Sequence, residues 1–277
     1  MPPAQGVRHP ERSPGPQLNS ASHVIARARE LWVGLAGVPI GFRPGGVTVA
    51  VAPASLLCPP GWTGIVVIGD AAIATVAEKS QVAVVREALQ GLALTDLDPV
   101  RAQLPTTAVL GPATLAYLAA DEFSPAPAHG EAGRLPAGHP DLAALAASMP
   151  SEEAGEAGID GIQSDAFVIR AEGHPDTRGH RDASRTDSAA GARGAGRVVA
   201  AAGYRRWRGV AAHLSVLTAP DFRGLGFGRA AASAATAEAL AEGLLPQWRA
   251  RVEPSRRIAR SLGYRELGSQ LSLQLQA

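Results

Sequence analysis

Val216-Leu217-Thr218-Ala219-Pro220-Asp221-Phe222-Arg223-Gly224-Leu225-Gly226-Phe227-Gly228-Arg229 is the stretch on which the reading of this chain turns. An apolar segment, His213 to Thr218, has strand character and runs into a Pro-Asp turn. Arg223 and three alternating glycines follow, and then Ala230-Ala231-Ala232-Ser233-Ala234-Ala235, small residues of high helix propensity. Glycine is needed where a backbone takes unusual dihedrals or approaches a ligand closely. The start of a helix supplies unpaired N–H groups and the positive end of a dipole. No carboxylate sits in the first turn to fill that field, and Arg223 and Arg229 flank it. The pattern predicts an anion cradle for a phosphorylated cofactor.

Other readings of the glycines fit less well. Gly226-x-Gly228-x-x-Ala231 satisfies a loose dinucleotide fingerprint, but that fold needs an acidic residue about 20 positions on and further strand–helix units. Here the next strand, Leu245 to Arg251, is basic, and only one more helix and strand follow. No Gly-Lys-Ser/Thr follows the glycines, so a P-loop is excluded. A tight strand-to-helix turn with no ligand is the remaining alternative.

Arg223-Gly224-Leu225-Gly226-Phe227-Gly228 resembles the Arg/Gln-x-x-Gly-x-Gly/Ala motif of the GCN5-related N-acetyltransferases, the GNAT superfamily. Leu214 to Pro220 is similar to that family's fourth strand, which ends in a Pro-containing turn. Trp248 to Tyr264, with its Gly263-Tyr264 ending, resembles the next strand and helix. The resemblance covers about residues 140–277. It implies an α/β chain of the α+β type, with a mixed, mostly antiparallel sheet flanked by helices and splayed at residues 216–218. A small α/β N-terminal domain would precede that unit.

The resemblance also implies a site. Acetyl-CoA would place its pyrophosphate on the backbone amides of Gly224, Leu225, Gly226, Phe227, Gly228 and Arg229, beside Arg223. The strand backbone at Val216, Leu217 and Thr218 would hold the pantetheine arm, with the N–H of Leu217 polarising the thioester carbonyl. The implied reaction is acetyl transfer to a primary amine by direct attack, on a small molecule or a peptide. The amine must lose a proton and the leaving thiolate must gain one. Many family members carry Asn at the position of Val252 and Tyr at that of Ala259, and both are absent here. A non-catalytic acyl-CoA-binding or regulatory module is therefore the alternative.

Three side chains stand as candidates for the proton chemistry, each with an ordinary explanation beside it. His213 is a base or a sheet histidine. Glu153, with Glu152 and Glu156, lines the acceptor side or forms a solvated acidic face. Tyr204 supplies a phenol or belongs to the core. Water can also protonate a thiolate, so no one residue is required. The three glutamates hint faintly at cationic acceptors.

Composition sets the outer bounds. With 277 residues and 46% hydrophobic ones, core material suffices for one large or two ordinary domains. The net charge of +1 gives no reason to expect nucleic-acid binding. The single cysteine, Cys58, rules out an internal disulfide and suits a reducing compartment, hence a cytoplasmic protein. No apolar run approaches the ~18 residues of a membrane span. No metal site is expected; His174 and His180 lie in a polar stretch and read as solvated loop residues.

Along the chain, residues 1–22 read as a disordered tail and 23–122 as a small α/β unit of open role. An interaction or dimerisation domain (a homodimer) and a degenerate second copy of the same fold both suit it. That unit has helices at 23–35, 80–89 and 96–104, with Ser80 as an N-cap, and strands at 47–51, 64–69, 72–76 and 107–110. Residues 123–139, rich in Pro, Ala and Gly, read as a linker to a second unit, 140–277. Within the latter, 173–196 is almost purely polar and small, and is expected to be a disordered insertion between strands 165–172 and 197–207. Leu271, Leu273 and Leu275 alternate with polar residues, predicting a half-buried antiparallel strand at the end.

Overall fold

The computed structural model describes residues 20–90, 97–127, 132–171 and 196–276. Helix α1 (Ser20–Ala36) opens the described chain. It is followed by strands β1 (Val47–Val51), β2 (Thr63–Ile68) and β3 (Ala71–Val76), helices α2 (Gln81–Leu89) and α3 (Asp98–Gln103), and strand β4 (Thr106–Tyr117). Strand β5 (Gly133–Leu135), helices α4 (Pro140–Ala147) and α5 (Ser151–Ala157), and strands β6 (Ala166–Ala171), β7 (Arg197–Trp207) and β8 (Ala211–Thr218) come next. The chain ends with α6 (Phe227–Ala241), β9 (Leu245–Ala250), α7 (Glu253–Ser261) and β10 (Arg265–Leu275).

Among the described residues, ten strands form one sheet, in the order β1-β3-β2-β10-β4-β9-β8-β7-β6-β5. Among the described residues only β1–β3 and β8–β9 pair in parallel, so the sheet is mixed and mostly antiparallel, as expected. Strands from 23–122 and from 140–277 are interleaved. β10 lies between β2 and β4, and β4 pairs with β9, so one sheet carries both segments.

Several local expectations need correction. Helix α1 begins at Ser20, ahead of the expected His23, so Ser20 and Ser22 lie within it rather than in a tail. The rest of the expected tail is outside the described residues, as are residues 173–195 of the expected insertion with His174 and His180. Ser80 occupies the N-cap position of α2, but its hydroxyl contacts Glu78 and caps no backbone N–H. β4 runs from Thr106 to Tyr117, far beyond the expected 107–110, because Gly111-Pro112 irregularly interrupts the ladder without ending it. The expected linker contains β5, which pairs with β6, and the Ala126 N–H bonds the Ser233 hydroxyl at 2.9 Å. Over residues 270–273 β10 is buried on both faces: Leu271 and Leu273 are sealed on one, and Gln270 and Ser272 are nearly so on the other.

Helices cover both faces. α1 packs Ala28, Leu31, Trp32 and Leu35 against Val66, Ile68, Leu115 and Tyr117. On the opposite face, Val85 and Leu89 of α2 and Val100 of α3 meet Val67, Leu271 and Leu273. The alanines of α6, Ala231, Ala232, Ala235 and Ala239, let that helix lie close on the sheet. Among the described residues, no helix is long and apolar enough to cross a membrane.

One buried hydrogen bond fastens α1 to the sheet: Trp32 Nε1 donates to the Tyr117 hydroxyl at 2.6 Å, with both side chains sealed from solvent. Burial also pushes the Tyr117 phenol pKa up, so the hydroxyl stays protonated at neutral pH. Tyr117→Phe strands the indole N–H in an apolar setting and is expected to cost roughly 1–3 kcal/mol. The shift in the midpoint of urea unfolding measures it.

Candidate functional site

The decisive feature is the divergence of β8 from β9. The two strands pair in parallel only through Ala211–Leu245, Ala212–Pro246 and His213–Gln247. β9 then continues against β4, through Trp248–Ala116 and Ala250–Thr114, while β8 runs on to Thr218 against β7 alone. Beyond His213 the β9-facing edge of β8 has no strand partner among the described residues, and the sheet opens into a splay with His213 and Gln247 at its apex.

Strand parity decides which amides face the opening. In an antiparallel pair, the N–H and C=O of one residue both point to the same neighbour, and those of the next residue point away. The Ala219 N–H donates to Val199 O at 2.8 Å, so the odd-numbered residues of β8 are turned toward β7, in an unshifted register. On the other side, Val210 O accepts from the Leu245 N–H, so the even-numbered residues face β9. The N–H of Leu217 is therefore committed to β7. The Leu214 N–H closes the His213–Gln247 step of the ladder to β9, so the amides aimed into the splay belong to Val216 and Thr218. This contradicts the expectation that the Leu217 N–H faces the opening; the neighbouring Val216 N–H does.

The splay leads directly into the glycine turn. Gly224 and Gly226 have φ of 75° and 83°, a region that side chains rarely adopt, so the turn needs glycine at both. Gly226 is the N-cap of α6 and no side chain caps the helix; the first turn has no acidic residue. The first turn of α6 lies at the positive end of the helix dipole, where N–H groups point out of the helix start. Gly228 has another reason to be glycine: a Cβ there would lie 2.5 Å from Thr218 Oγ1, so its smallness lets the helix start sit on the strand end. The cradle fits a pyrophosphate by the chemistry of its donors.

The flanking arginines behave differently from each other. Arg223 folds back, its Nε bonding Thr218 O at 3.3 Å and its guanidinium pairing with Glu153. Arg229 sends its guanidinium to Ser261 O at 3.1 Å, on α7, and so contributes to the cradle through its backbone alone.

The three candidate proton carriers do not come together. Glu153 is spent on Arg223, and Glu156 pairs with Arg251 at 2.6 Å. These pairs strap α5 to the turn and to the end of β9, and two of the three glutamates are neutralised. Tyr204 stands opposite Leu214 on the face covered by α6, whereas His213 and Ser215 are on the other face, where the Ser215 hydroxyl bonds Gly158 O at 3.2 Å. Burial, then the Glu242 carboxylate, pushes the Tyr204 phenol up to about 12. It is a core residue beneath α6. Val252 is the N-cap of α7, and Ala259 is buried in the core, so neither replaces the missing polar groups.

His213 does lie at the splay. Its ring stacks on Trp207, with centroids 4.1 Å apart and planes 15° apart, and its Nδ1 bonds Gln247 Oε1. With the amide oxygen facing the ring, Nδ1 carries the proton and Nε2 the lone pair. Desolvation first, and the positive charge of Arg249 second, push its pKa down to about 3 from the ordinary 6.5. The imidazole is neutral at working pH, and a kcat/KM profile should show no limb near 6.5. Stability carries the same signature. As pH falls below 6.5 the unfolded chain takes a proton that the folded ring refuses, so stability is lost progressively from about 6.5 toward about 3. Urea titrations at about pH 7 and about pH 4.5 should show a larger loss for the native chain than for His213→Gln.

Gln247 escaped the sequence reading. It is sealed from solvent, and its Nε2 has no hydrogen-bond partner. The signal for it is only its place, two residues into β9 and level with His213, which needs the strand register to be seen. Among the described residues no group of three metal-ligating side chains occurs.

Residues 192–269 match the family model described as GNAT acetyltransferase. No curated protein matches the chain. Among solved structures, a GNAT-family protein of Novosphingobium aromaticivorans is similar at 21% identity and a TM-score of 0.41, over 62% of this chain and 68% of that one. A GCN5-related N-acetyltransferase of Kribbella flavida is similar at 19% identity and a TM-score of 0.42, over 61% of this chain and 60% of that one. A GNAT-family acetyltransferase of Colwellia psychrerythraea gives 12% and 0.40, over 62% and 59%. The span matched by the family model runs from the edge of β7 through the splay, the glycine turn, α6, β9 and α7 into β10. Over this C-terminal segment, the one that builds the site, the chain matches the GNAT acetyltransferase family.

Proposed function

We propose that the chain is an N-acetyltransferase that moves the acetyl group of acetyl-CoA to a primary amine by direct attack. The observation that carries this reading is the splay: a strand edge with the amides of Val216 and Thr218 turned to the opening that continues into a helix start without a side-chain cap. Acetyl-CoA supplies the activated thioester. The chain's part is to bind, orient and polarise. The amides of residues 224–229 hold the pyrophosphate, and the edge of β8 takes the pantetheine arm as though it were a strand. The Val216 N–H, fixed before the substrate arrives, stabilises the oxyanion as the amine attacks. His213 is too weak a base to deprotonate an ammonium, so water relays the proton and the rate rises with pH as free amine becomes available.

A non-catalytic acyl-CoA-binding module is the second reading, favoured by Val252 and Ala259 standing where family members carry Asn and Tyr. Release of free coenzyme A from acetyl-CoA separates the two. Amine-dependent release, with an N-acetylated product seen by mass spectrometry, is the expected result. Tight acetyl-CoA binding without release across a panel of amines would favour the module.

A further inference from the structure

The two sides of the splay are bridged by a helix with a weak hold on the core. α5 has no buried residue, and only Ala157 rests partly on the core. Gly155 stands in its middle, where a Cβ would meet nothing within 4 Å. A glycine there weakens a helix that little packing holds. The attachments of α5 are mostly polar, and its two ends differ. At the C-terminal end Gly158, with φ of 62°, leads into the buried Ile159, and its carbonyl accepts from the Ser215 hydroxyl of β8 at 3.2 Å. Glu156, close to that end, takes two bonds from Arg251, one from Nε to Oε1 and one from a terminal nitrogen to Oε2, each 2.6 Å. Nearer the N-terminal end, Glu153 takes a terminal guanidinium nitrogen of Arg223. Glu153 and Glu156 are three residues apart and so share one helix face. Arg251 follows directly on β9, and Arg223 is bound back to the end of β8, so the two ion pairs end on opposite sides of the opening.

Arg223 also covers a group that the cofactor needs. Thr218 is even-numbered, so its carbonyl, like its N–H, is turned to the opening, and Arg223 Nε donates to that carbonyl at 3.3 Å. An arm pairing with β8 as a strand would take the same carbonyl for an amide N–H of its own. The guanidinium that adjoins the cradle at Gly224 is therefore engaged twice in the free protein, by the Glu153 carboxylate and by the strand edge.

We infer that the Glu153–Arg223 pair is a latch that closes the cofactor site in the free protein and that acetyl-CoA opens it by replacing the Glu153 carboxylate on Arg223 with its pyrophosphate, a reading that rests on the acetyltransferase site proposed above. Carboxylate and phosphate both suit the planar fork of a guanidinium, so Arg223 stays paired through the exchange. The pair is exposed on both sides, and such pairs hold weakly, so a phosphate that also meets a helix start displaces the carboxylate. With Arg223 drawn to the cradle, Thr218 O is freed for the pantetheine arm. α5 is released at its Glu153 end and stays tethered at Gly158 and at the Glu156–Arg251 pair. A closed fraction lowers the apparent affinity for acetyl-CoA in proportion to its population.

The test is acetyl-CoA binding to the full chain and its variants, by calorimetry for affinity and by stopped flow for rates. Glu153→Gln should bind acetyl-CoA about two- to fivefold more tightly, the range set by an exposed ion pair, with the gain mainly in the association rate. Glu156→Gln removes the same charge from the same face of α5 but leaves the latch in place, and it should not tighten binding. In the Arg223→Gln background Glu153→Gln should change nothing, because the latch has already lost its other half. Near-equal melting temperatures are expected, since both glutamates are exposed. Equal gains in Glu153→Gln and Glu156→Gln would reduce the effect to lost negative charge and overturn the latch. Unchanged or weaker binding in Glu153→Gln, or the same gain with Arg223→Gln present, would overturn it too, and acetyl-CoA binding would still stand. Binding by Glu153→Gln where the native chain shows none would support the latch in its strongest form. Binding by none of the chains would remove the cofactor site, and the latch with it.

Discussion

Val216→Pro should lose activity by at least about a hundredfold while remaining folded. Proline removes the N–H that the splay presents, and removing one such donor from an oxyanion site typically costs about 10²–10³ in kcat. The ladder to β7 does not use that N–H, because the odd-numbered residues of β8 make those bonds. Proline is tolerated where its missing N–H would have faced away from a neighbouring strand. Leu217→Pro is the matched control. It removes an N–H committed to β7 and should destabilise by about 3 kcal/mol or more. Melting curves for both variants, with acetyl-CoA turnover for the folded one, check the pair. If Leu217→Pro folds well and Val216→Pro unfolds, the assigned parity of β8 is wrong.

Gly226→Val should abolish acetyl-CoA binding, with an affinity loss of about a hundredfold or more. Its φ of 83° and its place as the uncapped start of α6 put any side chain where the backbone must meet a phosphate. Backbone strain alone could mimic this, since a residue with a Cβ pays on the order of 1–3 kcal/mol in that region. Gly243 provides the comparison. Its φ is 72°, it follows the end of α6, and a Cβ there would meet nothing within 4 Å. Gly243→Val should lower the melting temperature comparably and leave acetyl-CoA affinity intact. Equal affinity losses in the two variants, measured by calorimetry, would remove the cradle from the account.

The parts of this molecule legible in the sequence are those written locally. The glycine turn, the alanine helix, Pro254 in the first turn of α7 and the alternation at the C-terminus each follow from short-range rules, and they give strands and helices close to those observed. The residues that sequence reasoning misplaced depend on pairing. Whether the Leu217 or the Val216 N–H faces the opening is a matter of parity, set by the register of β7 on β8, and no periodicity along one strand reveals it. Tyr204 and His213 both lie on strands beside the site, yet they occupy opposite faces. Glu153 was visible as an acid, but its neutralisation by Arg223 joins residues far apart in the chain. Gln247 carries no motif at all and becomes notable only because β9 brings it level with His213. β4 outruns its sequence signal because Gly111-Pro112 reads as a turn, while the partner strands β10 and β9 carry the ladder past it.

The most direct measurement is amide hydrogen exchange at Val216 and Leu217, read by NMR with and without acetyl-CoA. In the free protein the Leu217 amide should be protected by β7 and the Val216 amide should exchange quickly, as an unpaired edge group does. Saturating acetyl-CoA should slow Val216 and shift the amides of residues 225–229, leaving Leu217 as it was. Fast exchange at Val216 that acetyl-CoA does not alter, with its shifts falling elsewhere in the chain, would contradict the placement of the cofactor in the splay.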